Sequence, residues 1–378
     1  MPMTFAVEHP FAQFVRILGK GKKGSRSLTR EEARIAMGMI LDKQAEPEQL
    51  GAFLMLLRMK EEAPEELAGF VDAVRERFPI PTHLDVALDW SSYAGKKRHL
   101  PWYLLAALLL AEQGVSVFMH GARGHTAGRI YTEDALQVLG VPVARDWSQV
   151  EQQLAASNFS FMSIDHLCPP LGEIIQLRSI LGLRSPVHTL CRLLNPLSAP
   201  ATVDGVFHPP YAPMHQQTAL LLGTKNSATV RGDGGEAEVK PDSDTELHWI
   251  IDRQLSVSNW PRLYSQRLVK SDELRLEDLR ELWAGRLEHP YGEGAVIATL
   301  AVVLRLLPGN AAFNEFELTT QAREGGAALE RRDVKRGVPR RAAAARRGPH
   351  CGHGAGAGIM RCGGTLCVGE AAQVPHLD

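Results

Sequence analysis

The sequence DWSSYAGKKR, residues 89–98, decides how the fold of this 378-residue chain is interpreted. An apolar run at residues 84–88 precedes it and is typical of a strand, and an apolar stretch after Pro101 is typical of a helix. A loop that joins a strand to a helix in this way often binds an anion, because free N–H groups and a partial positive charge meet at the helix N-terminus. Such loops are usually rich in glycine, whereas this one has a single glycine followed by three cationic side chains. The segment therefore predicts an anion site that relies on side chains where related loops rely on main-chain amides.

Length and composition define the class of protein. The chain is long enough for two domains, and its 44% hydrophobic and 22% charged residues are ordinary for a soluble globular protein. The longest apolar run, residues 102–111, is about half of what a bilayer span needs, and no signal pattern opens the chain, so we expect a cytoplasmic protein with no membrane partner. The five cysteines fit no disulfide framework, so Cys168 and Cys191 are expected to be reduced thiols in the core.

Residues 1–80 are predicted to form a helical domain. Thr29 and Glu32 have the spacing of a capping box ahead of an apolar helix. Residues 51–58 open another helix, and Pro64 begins the next. A helical domain of this size needs a partner surface, which the rest of the chain has to supply.

Residues 81–330 are predicted to form a larger α/β domain. Strand and helix patterns alternate along this region, which favours a mainly parallel sheet wrapped by helices. The predicted strands are residues 115–119, 159–163, 202–207 and 228–231. The predicted helices are residues 132–139, 170–181, 213–222, 276–283 and 292–307, the first of which Gly140 ends.

Residues 331–378 differ in kind from the rest of the chain. They are dense in arginine, glycine, alanine and cysteine and contain almost no large apolar residues, so they cannot form a core. Two interpretations remain open. The segment is either a disordered basic tail that binds nucleic acid or the product of a shifted reading frame in a GC-rich gene.

Several motifs together resemble the anthranilate phosphoribosyltransferase family, which is related to the pyrimidine nucleoside phosphorylases. The motifs are QLGAFL at residues 49–54, RMK at 58–60, EELAG at 65–69, MHGAR at 119–123, RSILGLRS at 178–185 and LNPL at 194–197. The resemblance covers about residues 10–330 in the correct order. It implies a small helical domain, a larger α/β domain of the nucleoside phosphorylase and phosphoribosyltransferase type, and a ligand cleft between them. Members are commonly homodimers through the helical domain, and the apolar faces of residues 30–57 permit this here.

The motifs of the family's active site are altered. The family's Gly-Thr-Gly-Gly-Asp loop, which cradles a pyrophosphate, corresponds here to residues 92–96, where the flexible glycines are gone. The family's adjacent Asp-Glu pair holds magnesium, but here only Glu236 aligns with an acid and Ala237 takes the other place. Glu236 and Glu238 are the candidate metal ligands, so no cofactor is certain and magnesium is expected only if the chain is an enzyme.

A retained scaffold with these changes resembles a divergent branch of the family, whose members bind nucleic acid in the cleft. We therefore expect non-specific binding of nucleic-acid backbone, with Tyr93 and Trp102 available to stack on bases. The residues assigned to phosphate or nucleic-acid binding are Lys22, Lys23, Ser92, Gly95, Lys96, Lys97, Arg98, His120, Arg123 and Arg178, with Arg184 and Arg192 on the opposing elements.

Other interpretations stay open at this point. One is an active glycosyl- or phosphoribosyltransferase that uses phosphoribosyl pyrophosphate and magnesium on an aromatic acceptor, which the resemblance implies Arg178 would orient. Another is a structural or regulatory dimer with an unused cleft. The cations at residues 96–98 are also explained by an ordinary solvated charge run, and the residues assign no catalytic group.

Overall fold

The computed structural model describes residues 7–21, 23–78, 80–268 and 273–307, together with the short strands at 361–362 and 365–366. Lys22 lies outside these ranges. So does the tail predicted at residues 331–378, except for β8 (Arg361–Cys362) and β9 (Thr365–Leu366), which pair antiparallel with each other. In the described part of the chain, no helix is both long and apolar enough to span a bilayer.

The N-terminal region forms a helical bundle, as predicted. Its helices are α1 (Ala12–Gly19), α2 (Arg30–Leu41), α3 (Pro47–Lys60) and α4 (Pro64–Arg77). The capping box predicted for α2 is confirmed, since the Thr29 side chain accepts from the Glu32 amide and the Glu32 side chain accepts from the Thr29 amide. Helices α2 and α4 cross closely at Gly69, where a Cβ would lie 2.1 Å from the carbonyl oxygen of Arg30.

A seven-stranded sheet forms the centre of the second region, and its mainly parallel character confirms the predicted fold class. The strands are β1 (Leu88–Ser92), β2 (Val117–Gly121), β3 (Phe159–Ser163), β4 (Ala201–Val206), β5 (Asn226–Arg231), β6 (Thr245–Ile251) and β7 (Gln254–Trp260). Their order in the sheet is β3-β2-β1-β4-β5-β6-β7. The first five strands are parallel, whereas β6 and β7 form an antiparallel hairpin at one edge.

The helices around the sheet follow the predicted alternation, with additional helices and one division. They are α5 (Tyr103–Glu112), α6 (Thr132–Leu139), α7 (Trp147–Ser157), α8 (Ile164–Leu167), α9 (Pro169–Gln176), α10 (Arg178–Leu181), α11 (Val187–Leu190), α12 (Tyr211–Leu221), α13 (Glu277–Trp283) and α14 (Pro290–Leu306). Helices α7, α8 and α11 were not predicted. The single helix predicted at residues 170–181 is two helices that meet at Leu177.

Two cores lie on opposite faces of the sheet. On β2, Val117 and Met119 point into a core shared with α5 and α14, while Phe118 points into a core shared with the helical bundle. This alternation explains how the N-terminal helices bury their apolar faces. Cys168 and Cys191 are buried free thiols in the second core, as predicted.

Candidate anion-binding site

The predicted anion-binding loop begins later in the chain than the sequence indicated. Strand β1 includes Asp89 to Ser92, which the sequence placed in the loop, because these residues pair with β2 along their full length. The apolar run at residues 84–87 precedes the strand. Residues 93–102 therefore form the connection to α5, at the carboxyl ends of parallel strands, where ligands of open α/β sheets bind.

The main-chain amides of this loop are already occupied. The N–H groups of Ala94 and Gly95 both donate to Oε1 of Glu236, each over 2.6 Å. Glu236 is buried, and burial raises the pKa of its carboxyl group even though Arg192 and the two amides act in the opposite direction. A protein carboxylate thus lies where a ligand phosphate would meet the loop.

Lys96 is also neutralised within the protein. Its Nζ is fully buried and lies 2.6 Å from Oε1 of Glu238 and 3.0 Å from Oδ2 of Asp233. Burial alone would lower the pKa of Lys96, but the two carboxylates raise it, so the ammonium stays charged. Glu238 also accepts from the Tyr103 amide at the N-terminus of α5 over 2.9 Å. We call Lys96, Asp233, Glu236 and Glu238 the loop cluster.

Of the other loop residues predicted from the sequence, one is buried in a structural contact and two are exposed to solvent. The Ser92 hydroxyl is buried and hydrogen-bonded to Tyr103 and Thr132, so it supports the loop from below. Lys97 and Arg98 are exposed. Arg98 lines a different cavity, with Lys240 and Arg267. The expectation that the three cations of residues 96–98 face one ligand together is wrong, because the carboxylates of the loop cluster hold Lys96 inside the protein.

The other predicted residues are also placed apart. His120 is fully buried, with Nδ1 2.7 Å from the hydroxyl of Tyr93 and Nε2 3.2 Å from Asp89. The Arg123 side chain is exposed and bonded to Glu133, and Lys23 is an exposed residue of the connection after α1. The stacking role expected of two aromatic residues is wrong, since Tyr93 and Trp102 are both buried in the core.

A second group of cations does converge. Arg129, Arg178, Arg184 and Arg192 are half-buried, and we call them the arginine cluster. Arg178 donates to Thr126 and to the carbonyl of His125, and Arg184 lies 3.4 Å from the same threonine hydroxyl. Among the residues that the structure describes, the salt bridges within 4.0 Å include none to these four arginines.

Burial and the positive charges of the arginine cluster together lower the pKa values of neighbouring groups. Burial, together with the charges of Arg192, Arg129 and Arg178, lowers the pKa of Arg184 to about 10. Burial and the same cluster lower the pKa of His125 to about 4, and they hold the pKa of His188 well below its usual range. Both imidazoles are therefore neutral at neutral pH.

Two members of the arginine cluster, Arg184 and Arg192, line a cavity of about 100 Å³ between the bundle and the sheet. Arg58 of α3 reaches it from the bundle, Arg184 and Arg192 line another side, and Gly234 and Gly235 connect it to the loop cluster. Phe207, which follows β4, lines the same cavity and is 59% exposed. This arrangement can hold a compact anionic group and offers one aromatic face beside it.

Arg129 joins the two clusters. Its Nη1 donates to the carbonyl oxygens of Ala94 and Gly95 over 3.1 and 2.7 Å and lies 3.4 Å from that of Gly234. The loop is therefore held on both sides, by Glu236 at its N–H groups and by Arg129 at its carbonyl groups. The sequence reasoning missed Arg129, although its distance of six residues from the MHGAR motif could have indicated a place near the loop.

A resident magnesium ion does not fit the site in this arrangement. Glu236 and Glu238 offer the oxygen ligands that magnesium prefers, but both are engaged, and the Lys96 ammonium lies beside Glu238. Within the described residues, no group of three or more His, Cys, Asp or Glu side chains could hold a metal. The magnesium role predicted for Glu236 and Glu238 would thus require the loop cluster to rearrange.

A helical bundle beside a mainly parallel sheet, with half-buried arginines that have no salt bridge among the described residues, defines a class of two-domain α/β proteins with a candidate anion site. The model of the glycosyl transferase family's helical bundle domain matches residues 13–78, and that of its a/b domain matches residues 103–257. The chain belongs to this family, in the group that resembles anthranilate phosphoribosyltransferases. The loop at residues 93–102 lies between the two matches.

Individual relatives agree with this assignment. An anthranilate phosphoribosyltransferase of Anaeromyxobacter sp. (strain Fw109-5) is 34% identical over 209 residues, which is 55% of this chain and 62% of that protein. One from Erythrobacter litoralis (strain HTCC2594) is 30% identical, with 64% of this chain and 72% of that protein covered. The structure of anthranilate phosphoribosyltransferase from Saccharomyces cerevisiae in complex with PRPP and Mg has the same fold, with a TM-score of 0.66, 18% identity, and 89% and 98% of the two chains covered.

Proposed function

We propose that the protein is a phosphoribosyltransferase-type glycosyltransferase that binds a phosphorylated ribosyl donor in the cleft. The observation that carries this proposal is the arginine cluster. Its guanidinium groups are half-buried without a carboxylate partner among the described residues, two of them (Arg184 and Arg192) line a cavity, and the family includes transferases of this kind. Buried cations without a counter-ion are costly, and an anionic ligand would offset that cost.

The chemistry of such a transfer suits fixed cations. As the bond between the ribose C1 and the diphosphate oxygen breaks, negative charge grows on the leaving diphosphate, and Arg184 and Arg192 stabilise it without having to reorganise. Arg178 would orient the carboxylate of an aromatic acceptor, because a guanidinium pairs well with that group. Since a metal does not fit the loop cluster as it stands, the arginines supply the positive charge that stabilises the leaving group.

Calorimetry tests the proposal directly. Phosphoribosyl pyrophosphate should bind the protein, in magnesium-free buffer as well as with magnesium, and an aromatic acid should then release inorganic pyrophosphate. The variant Arg184→Ala should bind the donor at least about tenfold more weakly, because a hydrogen bond to a charged group contributes about 1.5–3 kcal/mol.

Arg123→Ala is the matched control for this experiment. Arg123 is an exposed arginine of the same region that is bonded to Glu133 and does not line the cavity. Donor affinity should be unchanged in this variant. If the wild-type protein gives no binding heat with the donor under either condition, the transferase proposal is wrong.

Nucleic-acid binding is the second candidate, and Phe207 is the observation that favours it. Its ring is exposed beside Arg184 and Arg192, and its ring centroid lies 5.0 Å from that of His208. An aromatic face next to cations is how many proteins hold single-stranded nucleic acid without sequence preference. Carboxylates fill the loop amides, which leaves side chains to contact the phosphates.

Fluorescence anisotropy with a labelled oligonucleotide tests this candidate. Binding should weaken steeply between about 50 mM and about 200 mM salt, because phosphate contacts release counter-ions. Phe207→Ala should weaken it further, since stacking contributes about 1–3 kcal/mol per base. No binding at the lower salt concentration would eliminate the candidate.

A further inference from the structure

The segment 236–238 occupies both anion-binding features of the loop at once. Oε1 of Glu236 receives the Ala94 and Gly95 amides, and Glu238 receives the Tyr103 amide at the start of α5 together with the Lys96 ammonium. All of these contacts are buried. In other proteins the same two features, loop amides and a helix N-terminus, bind the phosphates of a ligand.

We infer that Glu236 is an internal substitute for a ligand phosphate, which holds the loop closed and must leave before a diphosphate can bind the Ala94 and Gly95 amides. The inference rests on the proposed function, since it concerns the diphosphate end of the same donor. It also accounts for the poor fit of a metal, because the carboxylate that would serve as an oxygen ligand is engaged with the loop.

Close packing fixes the Glu236 backbone in this position. A Cβ at Gly205 would lie 2.2 Å from the carbonyl carbon of Glu236, and one at Gly232 would lie 1.8 Å from its carbonyl oxygen. The glycines therefore let two neighbouring segments approach the Glu236 backbone closely. The side chain alone has to move when the loop opens, which makes substitution of that side chain an informative test.

The test uses inorganic pyrophosphate as the probe and two variants of the full chain, Glu236→Gln and Glu236→Ala. The glutamine keeps an oxygen at the position that accepts both amides but removes its charge, so pyrophosphate affinity should rise only modestly. The alanine removes the acceptor, so affinity should rise at least about tenfold over wild type, since charge-assisted bonds to two amides no longer compete. Calorimetry at constant ionic strength should show that pyrophosphate affinity decreases in the order Glu236→Ala, Glu236→Gln, wild type.

Glu62→Ala is the matched control. Glu62 is another buried glutamate whose pKa burial raises, but it lines a different cavity with Pro210 and Met214. Pyrophosphate affinity should not change in this variant. If Glu236→Ala binds pyrophosphate no better than wild type, or if alanine and glutamine are equal, the substitution acts through charge alone or not at all, and the inference is overturned.

Hydrogen exchange gives an answer even if the alanine variant does not fold. The Ala94 and Gly95 amides should exchange slowly in wild type and faster in Glu236→Gln, and equal rates would overturn the inference.

The experiments distinguish failure of the proposed function from failure of this inference. If Glu236→Ala gains pyrophosphate affinity but no transfer activity is found, only the transferase proposal is eliminated. If wild type binds the donor but Glu236→Ala gains no pyrophosphate affinity, only the inference about Glu236 is eliminated.

Discussion

The loop cluster and the arginine cluster are neighbours, linked through the contacts of Arg129 with the loop, and they differ in how their positive charge is balanced. In the loop cluster, the Lys96 ammonium is within 3.0 Å of two carboxylates, and a third carboxylate accepts the loop amides. In the arginine cluster, half-buried guanidinium groups lie near one another without a salt bridge among the described residues. The first arrangement stabilises the fold, and the second leaves charge for a ligand.

The comparison shows that position and residue type together do not identify a binding residue. Lys96 has the more suggestive sequence context, because it follows a strand, precedes a helix and begins a run of three cations. Arg184 has no such context. The difference arises from the carboxylates that the fold places beside Lys96 and not beside Arg184.

Among these variants, Lys96→Met should have the largest effect, because it removes the cation of the loop cluster. It leaves Glu238 as a buried carboxylate without its cation, which typically costs about 3–5 kcal/mol. We expect a loss of this size in the free energy of unfolding, measured by urea denaturation. Lys97→Met is the control, and it should stay within about 0.5 kcal/mol of wild type because Lys97 is exposed. A loss of less than about 1 kcal/mol for Lys96→Met would mean that the ion pair is not a structural element.

Arg192→Ala should weaken donor binding and leave the stability of the fold nearly unchanged. Removing one cation from a group of like charges should leave the free energy of unfolding unchanged or slightly higher. Binding of phosphoribosyl pyrophosphate should weaken by about 1.5–3 kcal/mol, which calorimetry measures as roughly a tenfold to hundredfold change in Kd. An unchanged Kd together with a large loss of stability would place Arg192 in the structural group.

Acidification should lower the free energy of unfolding through His125, which lies beside the arginine cluster. Its pKa is lowered to about 4 in the folded protein, so the unfolded chain takes up a proton at higher pH than the folded one. The corresponding stability is fully present above about pH 6.5 and is lost as the pH falls toward 4, by at most ~1.4 kcal/mol per pH unit for one proton.

His125→Gln is the variant for this test, because it removes the titrating group. Urea denaturation at about pH 7, about pH 5.5 and about pH 4.5 should show wild type losing stability faster than the variant. Parallel losses in the two proteins would mean that the pKa of His125 is not lowered in the folded protein.

Arg98→Ala should have the smallest effect on donor binding. Its side chain is exposed and lines the cavity with Lys240 and Arg267, so it is separated from the arginines of the cleft. We expect donor affinity to change by less than a factor of about two, in line with surface substitutions remote from a site. A tenfold loss in calorimetry would show that the ligand extends around the loop.

Periodicity and caps predicted most of the fold. The apolar runs give β3 as residues 159–163 and α6 as residues 132–139 with a left-handed Gly140 at its end, and both are confirmed. The hairpin of β6 and β7 was missed for a physical reason. Its turn uses Asp252 and Arg253 at φ 46° and 66°, so the glycine or asparagine that usually indicates a two-residue hairpin turn is missing.

The site was harder to predict than the fold, because its decisive contacts join distant parts of the chain. Glu236 meets Ala94 across 142 residues, and Lys96 meets Glu238 across the same separation. The local pattern around Lys96 indicates an anion site, and only the folded chain shows that the anions are its own carboxylates.

The contacts of Arg129 with the loop carbonyls keep the loop in the conformation that would bind an anion. Arg129 anchors the carbonyl of the Ala94–Gly95 peptide group and His125 anchors that of the Tyr93–Ala94 peptide group, so the N–H bonds of Gly95 and Ala94 would keep their direction after Glu236 departs. The receptor for an incoming anion is then preorganised, and opening it requires one side-chain rotation with no refolding of the backbone.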